Sequence, residues 1–213
     1  MRSKPKTVAA LGVCFVAHLA FVLSMAWILN IWIDEAYTLH TTGDGPWQAI
    51  QRALGFELQP PLYFTLLSVW RWVSESLFWA RLFSVLCAAA TLLILVPLSR
   101  RYLKNLSPLW LFSAGAVNAF LIWSSTEIRL YALAILLSAL LWWNLDRVFL
   151  RGSISRWGIA WHGILAAMAL YTQYYLGFLL VGHFVGLLVS LRLKESGRYL
   201  ISMSIAAILF LPM

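Results

Sequence analysis

The chain is built from long runs of apolar residues separated by short polar breaks. Uncharged or nearly uncharged stretches occur at about 8–32, 82–98, 107–124, 130–146, 158–173, 175–191 and 199–213. Each approaches or reaches the roughly 17–25 helical residues needed to cross a hydrocarbon core of ~30 Å. Period-2 alternation of apolar and polar residues is absent, so helices rather than a closed barrel must satisfy the backbone in lipid. The pattern predicts an all-α, polytopic transmembrane bundle of about seven spans. An eighth apolar segment, 61–79, contains Arg71 and Glu75. These charges are four residues apart and share a helical face, which suits a helix lying along the membrane surface. Pro60-Pro61 supplies its start.

Composition agrees with this reading. Hydrophobic residues make up 62% of the 213 and charged residues 11%, against about 25% charged in an ordinary soluble protein. The N-terminal run from Thr7 to Ile33 exceeds the roughly 7–15 apolar residues of a secretory signal, and no small-x-small cleavage site ends it. It is expected to be a retained first span. Cys14 and Cys87 both fall inside apolar stretches and read as small core residues.

The net charge of +8 does not point to nucleic acid, because the cations are short clusters between apolar runs. With a cytoplasmic N-terminus and a non-crossing 61–79, Arg2, Lys4, Lys6, Arg100, Arg101, Lys104, Arg147, Arg151, Arg156, Arg192, Lys194 and Arg198 all lie inside. That is 12 of the 16 basic residues, as the positive-inside rule requires. A crossing 61–79 would turn three of these clusters outward. Six of the eight acids then lie outside: Asp34, Glu35, Asp44, Glu57, Glu75 and Glu127. The expected location is a cell (inner) membrane, with a large first outer loop over about 33–81.

Candidate chemistry gathers on that outer side. Asp34-Glu35 follows the first span, where paired carboxylates are solvated, ion-paired or functional. Gln59-Pro-Pro-Leu-Tyr63-Phe lies in the same loop, and Arg81 opens the next span. Glu127-Ile-Arg129-Leu-Tyr131 and Tyr171-Thr-Gln-Tyr174-Tyr175 mark two later outer turns. A carboxylate can take a proton from a hydroxyl, and arginines can hold a phosphate leaving group. Plainer roles compete with each: a solvated helix end for the acids, lipid-phosphate contact for Arg81, an ion pair with Glu127 or a loop acid for Arg129, an aromatic belt for the tyrosines. His18, His162 and His183 fall in or near spans and are expected to hydrogen-bond between helices. Asp146 reads as a solvated inner helix end.

These five segments, in this order, resemble the dolichyl-phosphate-mannose protein mannosyltransferase family, and most closely its bacterial branch of aminoarabinose transferases and related enzymes of the GT-C fold. The resemblance runs from about residue 8 to the end. It implies an inverting glycosyltransferase that uses a polyprenyl-phosphate-linked sugar and a lipid, glycan or protein acceptor on the extracytoplasmic side. It implies catalysis by Asp34 with Glu35, and carrier-phosphate binding by Arg81, Arg129 and Tyr131. Gln59, Tyr63, Glu127 and Tyr174 are secondary candidates for substrate contact. It implies no cofactor; a divalent ion at Asp34, Glu35, His40 and Asp44 is a minor alternative. The family usually has His where Gln59 stands and, in many relatives, where Gln173 stands. Aminoarabinose transferases carry Arg where Tyr37 stands. Members are longer, so 1–213 is expected to be the N-terminal part of such an enzyme, with its C-terminal half absent. A lipid-linked-substrate carrier and a non-catalytic fragment are the competing expectations.

Overall fold

The computed structural model describes residues 5–152 and 155–211. Arg2, Lys4 and the last two residues of the expected span 199–213 lie outside that range. Among the described residues there are eleven α-helices, two short π-helical turns and no strand. The helices are α1 (Pro5–Ile28), α2 (Ile33–Thr41), α3 (Pro46–Arg52), α4 (Leu62–Trp70), α5 (Leu77–Tyr102), α6 (Pro108–Ala116), α7 (Ala119–Thr126), α8 (Tyr131–Leu145), α9 (Arg156–Thr172), α10 (Leu176–Val189) and α11 (Leu193–Phe210).

The local sequence sets these boundaries. Ser76, Asn118 and Ser155 cap α5, α7 and α9, each side-chain oxygen accepting from a backbone N–H three residues on, at 3.2, 2.9 and 2.9 Å. Such caps satisfy donors that the first turn leaves without partners. Pro46 and Pro108 occupy first helical positions, where a missing N–H costs nothing. Ser107 caps α6 through a bond from Leu109 N at 3.3 Å.

Among the described residues, three helical stretches are long and apolar enough to cross a membrane: Pro5–Ile28, Tyr131–Leu150 (α8 continued through a π turn) and Leu77–Tyr102. A fourth is the pair α6 and α7 if it counts as one span, since a 53° bend at 117–118 divides it. This differs from seven uninterrupted spans. The expected 107–124 helix breaks where Asn118 starts a new helix instead of continuing the old one. Helices α9 and α10 have only 17 and 14 residues, and α11 opens with Lys194, Glu195 and Arg198 among its first six residues. The surface of α1 shows what surrounds it: Val13, Val16 and Phe21 are 70%, 65% and 50% exposed. An apolar face of that size suits lipid rather than water.

Segment 61–79 is not one helix. Helix α4 starts at Leu62, directly after Pro60-Pro61, but stops at Trp70; residues 71–76 form a turn before α5. At nine residues it is about 14 Å long, well short of a ~30 Å core. The indoles of Trp70 and Trp79 stack at 4.6 Å across the turn, and each Nε1 donates to the other's backbone carbonyl at 2.8 and 2.9 Å.

Helix α5 is the central post. It packs against α1, α4, α6, α7 and α8, and its side chains Ala80, Cys87 and Ala88 are buried. Helices α5 and α8 run in the same direction, because Ser84 near one start donates to Glu127 O at 2.7 Å while Arg101 near the other end meets Asp146 at 3.3 Å. Helices α9 and α11 come closest at Gly163, where a Cβ would sit 2.6 Å from the Ser202 carbonyl. Only glycine permits that approach.

Two of the expected interhelical histidine contacts are present. His18 Nδ1 meets Ala116 O at 2.8 Å and His162 Nδ1 meets Asn144 Oδ1 at 3.1 Å. His183 has no hydrogen-bond partner and lies 6.3 Å from the His162 ring, centre to centre. Asp146 is not a solvated end. It is fully buried and accepts from Arg101, Arg151 and Tyr102 at 3.3, 2.6 and 3.1 Å.

Candidate active site

Asp34 and Glu35 sit in the first turn of α2, where the helix dipole favours negative charge. Successive helical residues point about 100° apart, and here that angle separates two fates. Glu35 is fully buried. Its carboxylate accepts four hydrogen bonds: from Arg81 Nε at 2.9 Å, Arg81 Nη2 at 2.6 Å, Ile128 N at 3.0 Å and Trp32 N at 3.1 Å. Glu35, expected beside Asp34 in catalysis, has its carboxylate fully engaged within the fold. Asp34 is exposed, and its carboxylate accepts no hydrogen bond from any described residue.

Arg81 was expected at the carrier phosphate, but it has no donor to spare. Besides Glu35, it donates to the carbonyls of Ala26, Leu29 and Asn30 at 3.1, 2.7 and 2.9 Å. These include carbonyls that the end of α1 leaves unpaired, at the helix pole that favours a cation. Five N–H groups meet five acceptors, and the side chain is fully buried. Arg81 joins the end of α1, the start of α2 and the α7–α8 turn through one buried ion pair.

Arg129 is different. Its Nη1 donates to Thr38 Oγ1 and to Glu57 Oε2, both at 3.1 Å, and to the backbone carbonyl of Asp34 at 3.4 Å. Its Nε is buried without a partner, and Nη2 bonds no described residue. Burial alone would lower its pKa, but Glu57, Tyr131 and Asp34 outweigh that and raise it, so the group stays charged. An unpartnered Nε–Nη2 edge is the fork that meets phosphate or carboxylate in two parallel bonds. Glu57 also accepts from Thr41 Oγ1 at 3.1 Å. Glu57, Thr38 and Thr41 thus hold the cation, a role not expected of them. The available signal was spacing: Thr38 and Thr41 recur four and seven residues after Asp34, on one face of α2.

Glu127 lies close by and is 6% exposed. Its pKa is raised, chiefly by burial and then by Glu35 and Asp34, with Arg81 and Arg129 opposing. Tyr63 is buried beneath the site against Phe64 and Phe83. Its hydroxyl has no partner, and burial pushes its pKa well above the usual phenol value. Gln59 is half-buried just after Leu58, whose φ of 53° marks a left-handed turn. Tyr174 is exposed and packs on Phe210. The four groups of the minor metal alternative do not converge: Glu35 faces Arg81 and Asp44 pairs with Arg52 at 2.5 Å. Among the described residues no three His, Cys, Asp or Glu side chains form a metal-sized group.

An apolar groove ends at Tyr131, two residues after Arg129. A cavity of about 640 Å³ lies between α5, α6, α7 and α8, bounded by Leu95, Tyr102, Leu121 and Trp142. A second, of about 230 Å³, shares Phe120, Ile135 and Ser138 with it and ends at Leu130, Tyr131 and Gln173. No family model, curated protein or solved structure matches the chain. The geometry and chemistry of these residues therefore carry the functional argument.

Proposed function

We propose that the chain belongs to a membrane glycosyltransferase of the GT-C type. It would move a sugar from a polyprenyl-phosphate carrier to an acceptor hydroxyl, with inversion, on the extracytoplasmic side of a cell membrane. In this reading α9, α10 and α11 complete about seven spans, with α6 and α7 as one bent crossing. The N-terminus is cytoplasmic, in keeping with the charge asymmetry.

Asp34 takes the proton from the acceptor hydroxyl as its oxygen attacks the anomeric carbon. The bond from that carbon to the carrier phosphate breaks, and the phosphate leaves with the electron pair. Arg129 receives the growing phosphate charge on its open edge, with Tyr131 alongside. Glu57 and Thr38 hold Arg129, while Glu35 and Arg81 fix the backbone that presents Asp34. The carrier's isoprenoid tail lies in the apolar groove that ends at Tyr131.

One observation carries this reading. An exposed carboxylate with no hydrogen bond, on the first turn of α2, lies beside an arginine from the α7–α8 turn whose Nη1 reaches the Asp34 carbonyl and Thr38. Conversion of Asp34 to Asn tests it, with a purified polyprenyl-phosphate sugar donor and product analysis. A second reading, a carrier that moves a lipid-linked substrate without covalent chemistry, is favoured by the groove and Arg129 alone, since neither needs Asp34. Translocation of the donor across a vesicle membrane without product formation would select it.

A further inference from the structure

A second polar cavity lies apart from the Asp34 site. It has a volume of about 420 Å³ and is walled by the α2–α3 turn on one side and by the end of α4 and the 71–75 turn on the other. That volume is within the ~300–1,000 Å³ usual for small-molecule sites. Thr42 marks its near edge, eight residues beyond Asp34, about 12 Å along the chain axis at helical rise.

Its polar groups are left incomplete. Ser68 is 1% exposed, lines the cavity, and its hydroxyl has no partner. Arg71 is anchored by Nη1, which donates to Leu39 O and Thr42 Oγ1, both at 2.7 Å. Its Nε is buried without a partner, and Nη2 bonds no described residue. Glu75 lines the same cavity but makes no ion pair with Arg71 within 4 Å. Buried polar groups are normally satisfied, and those that are not require an explanation such as a ligand. Trp72 stands at the rim, 70% exposed.

We propose that this cavity binds a neutral saccharide ring, as the subsite for the acceptor. The charges of Arg71 and Glu75 cancel, so the cavity offers little net attraction to an ion of either sign. A free anion meets Arg71 but also Glu75, and a cation meets the reverse. Adjacent sugar hydroxyls carry donor and acceptor on each oxygen. Their oxygens accept from the Nε–Nη2 edge of Arg71, one hydroxyl donates to Glu75, and another completes Ser68. The C–H face of a pyranose covers the Trp72 indole, which offers flat apolar area beside polar groups. The proposal rests on the transferase reading for its acceptor role only; saccharide binding is measurable without transfer.

The test is saturation-transfer-difference NMR on the full chain in detergent. The probes are the methyl glycosides of glucose, galactose, mannose and N-acetylglucosamine, with inorganic phosphate and glycine as charged and zwitterionic comparisons. The expected result is binding of at least one glycoside, weakened about tenfold by Trp72→Ala and by Glu75→Gln, as expected for losing one contact or one hydrogen bond to a charged group. Both positions are exposed, so folding should persist. Trp157→Ala, an exposed indole far along the chain, should leave binding unchanged. Failure of all four glycosides to bind overturns the proposal, as does binding that both cavity variants leave intact, or binding of phosphate or glycine alone. Glycoside binding in a protein that transfers no sugar leaves the site standing and removes the acceptor role. Transfer without binding here removes the site alone.

Discussion

Arg81 grips Glu35 through two parallel hydrogen bonds, Nε to Oε1 at 2.9 Å and Nη2 to Oε2 at 2.6 Å, with both side chains fully buried. Removing one partner strands the other charge in the interior, at a cost of about 3–5 kcal/mol. Glu35→Ala and Arg81→Ala should therefore lose folded protein on extraction and melt well below the parent. Arg81→Lys should not rescue, because an ammonium cannot reproduce the five-donor fork. A melting temperature within two or three degrees of the parent for Glu35→Ala would show that the pair does not hold this junction.

The neighbouring residue should behave in the opposite way. The Asp34 carboxylate accepts no hydrogen bond among the described residues and meets only the helix dipole and the nearby Arg129 charge, so Asp34→Asn should shift the melting temperature by no more than a few degrees. Loss of a general base should lower transfer by about 10²–10⁴-fold. Measurement of both quantities on one preparation separates a catalytic from a structural role, and near-normal transfer would remove Asp34 as the base.

Arg129→Lys keeps the charge beside Glu57 but loses the fork. Under the proposed function it should raise the KM for the polyprenyl-phosphate donor by about tenfold or more, equivalent to roughly 1.4 kcal/mol of binding. The KM for the acceptor should be unaffected. An equal effect on both substrates would argue that Arg129 shapes the site without touching the phosphate.

Glu127 predicts a pH dependence of stability. Its native pKa is raised, so the folded state holds this proton more tightly than the unfolded chain does. Its contribution is fully present below the ordinary carboxylate range and is lost as pH rises through the higher native value. Glu127→Gln should flatten that part of the profile in melting experiments from mildly acidic to neutral pH. Parallel parent and variant curves would contradict the assignment.

Gly163 predicts a packing defect. A methyl group there would overlap the Ser202 carbonyl, a backbone atom that cannot rotate away. Gly163→Ala should destabilise the α9–α11 contact by about 1–3 kcal/mol. Gly182→Ala, where nothing lies within 4 Å of the added carbon, is the matched comparison and should be neutral or slightly stabilising.

The apolar pattern located most helices to within a few residues. The expected 158–173 and 175–191 correspond to Arg156–Thr172 and Leu176–Val189. The breaks were harder to see, although Asn118 and Ser76 are ordinary cap residues, because hydropathy continues across them. The site was partly legible. Asp34, Glu35, Arg81, Glu127 and Arg129 do gather at one end of the bundle. Which carboxylate faces outward depends on the phase of α2, fixed by a cap at Trp32 that sequence does not announce. The engagement of Arg81 within the fold was not legible for a related reason: three of its five acceptors are backbone carbonyls at or just past the end of α1, and carbonyls leave no trace in side-chain chemistry.

The ion pairs at the two ends of α5, one buried on both sides and one between an exposed Arg101 and a buried Asp146, have a consequence for the membrane itself. Arg81 and Arg101 are twenty residues apart on one helix, about 30 Å at helical rise, close to the thickness of a hydrocarbon core. Each guanidinium is tied to a carboxylate on another segment, which limits how far either end can adjust its reach by snorkelling. The helix acts as a gauge block: in a thicker or thinner bilayer the protein must tilt or deform the lipid around it. Its stability should then vary with acyl-chain length, with an optimum set by the distance between two salt bridges.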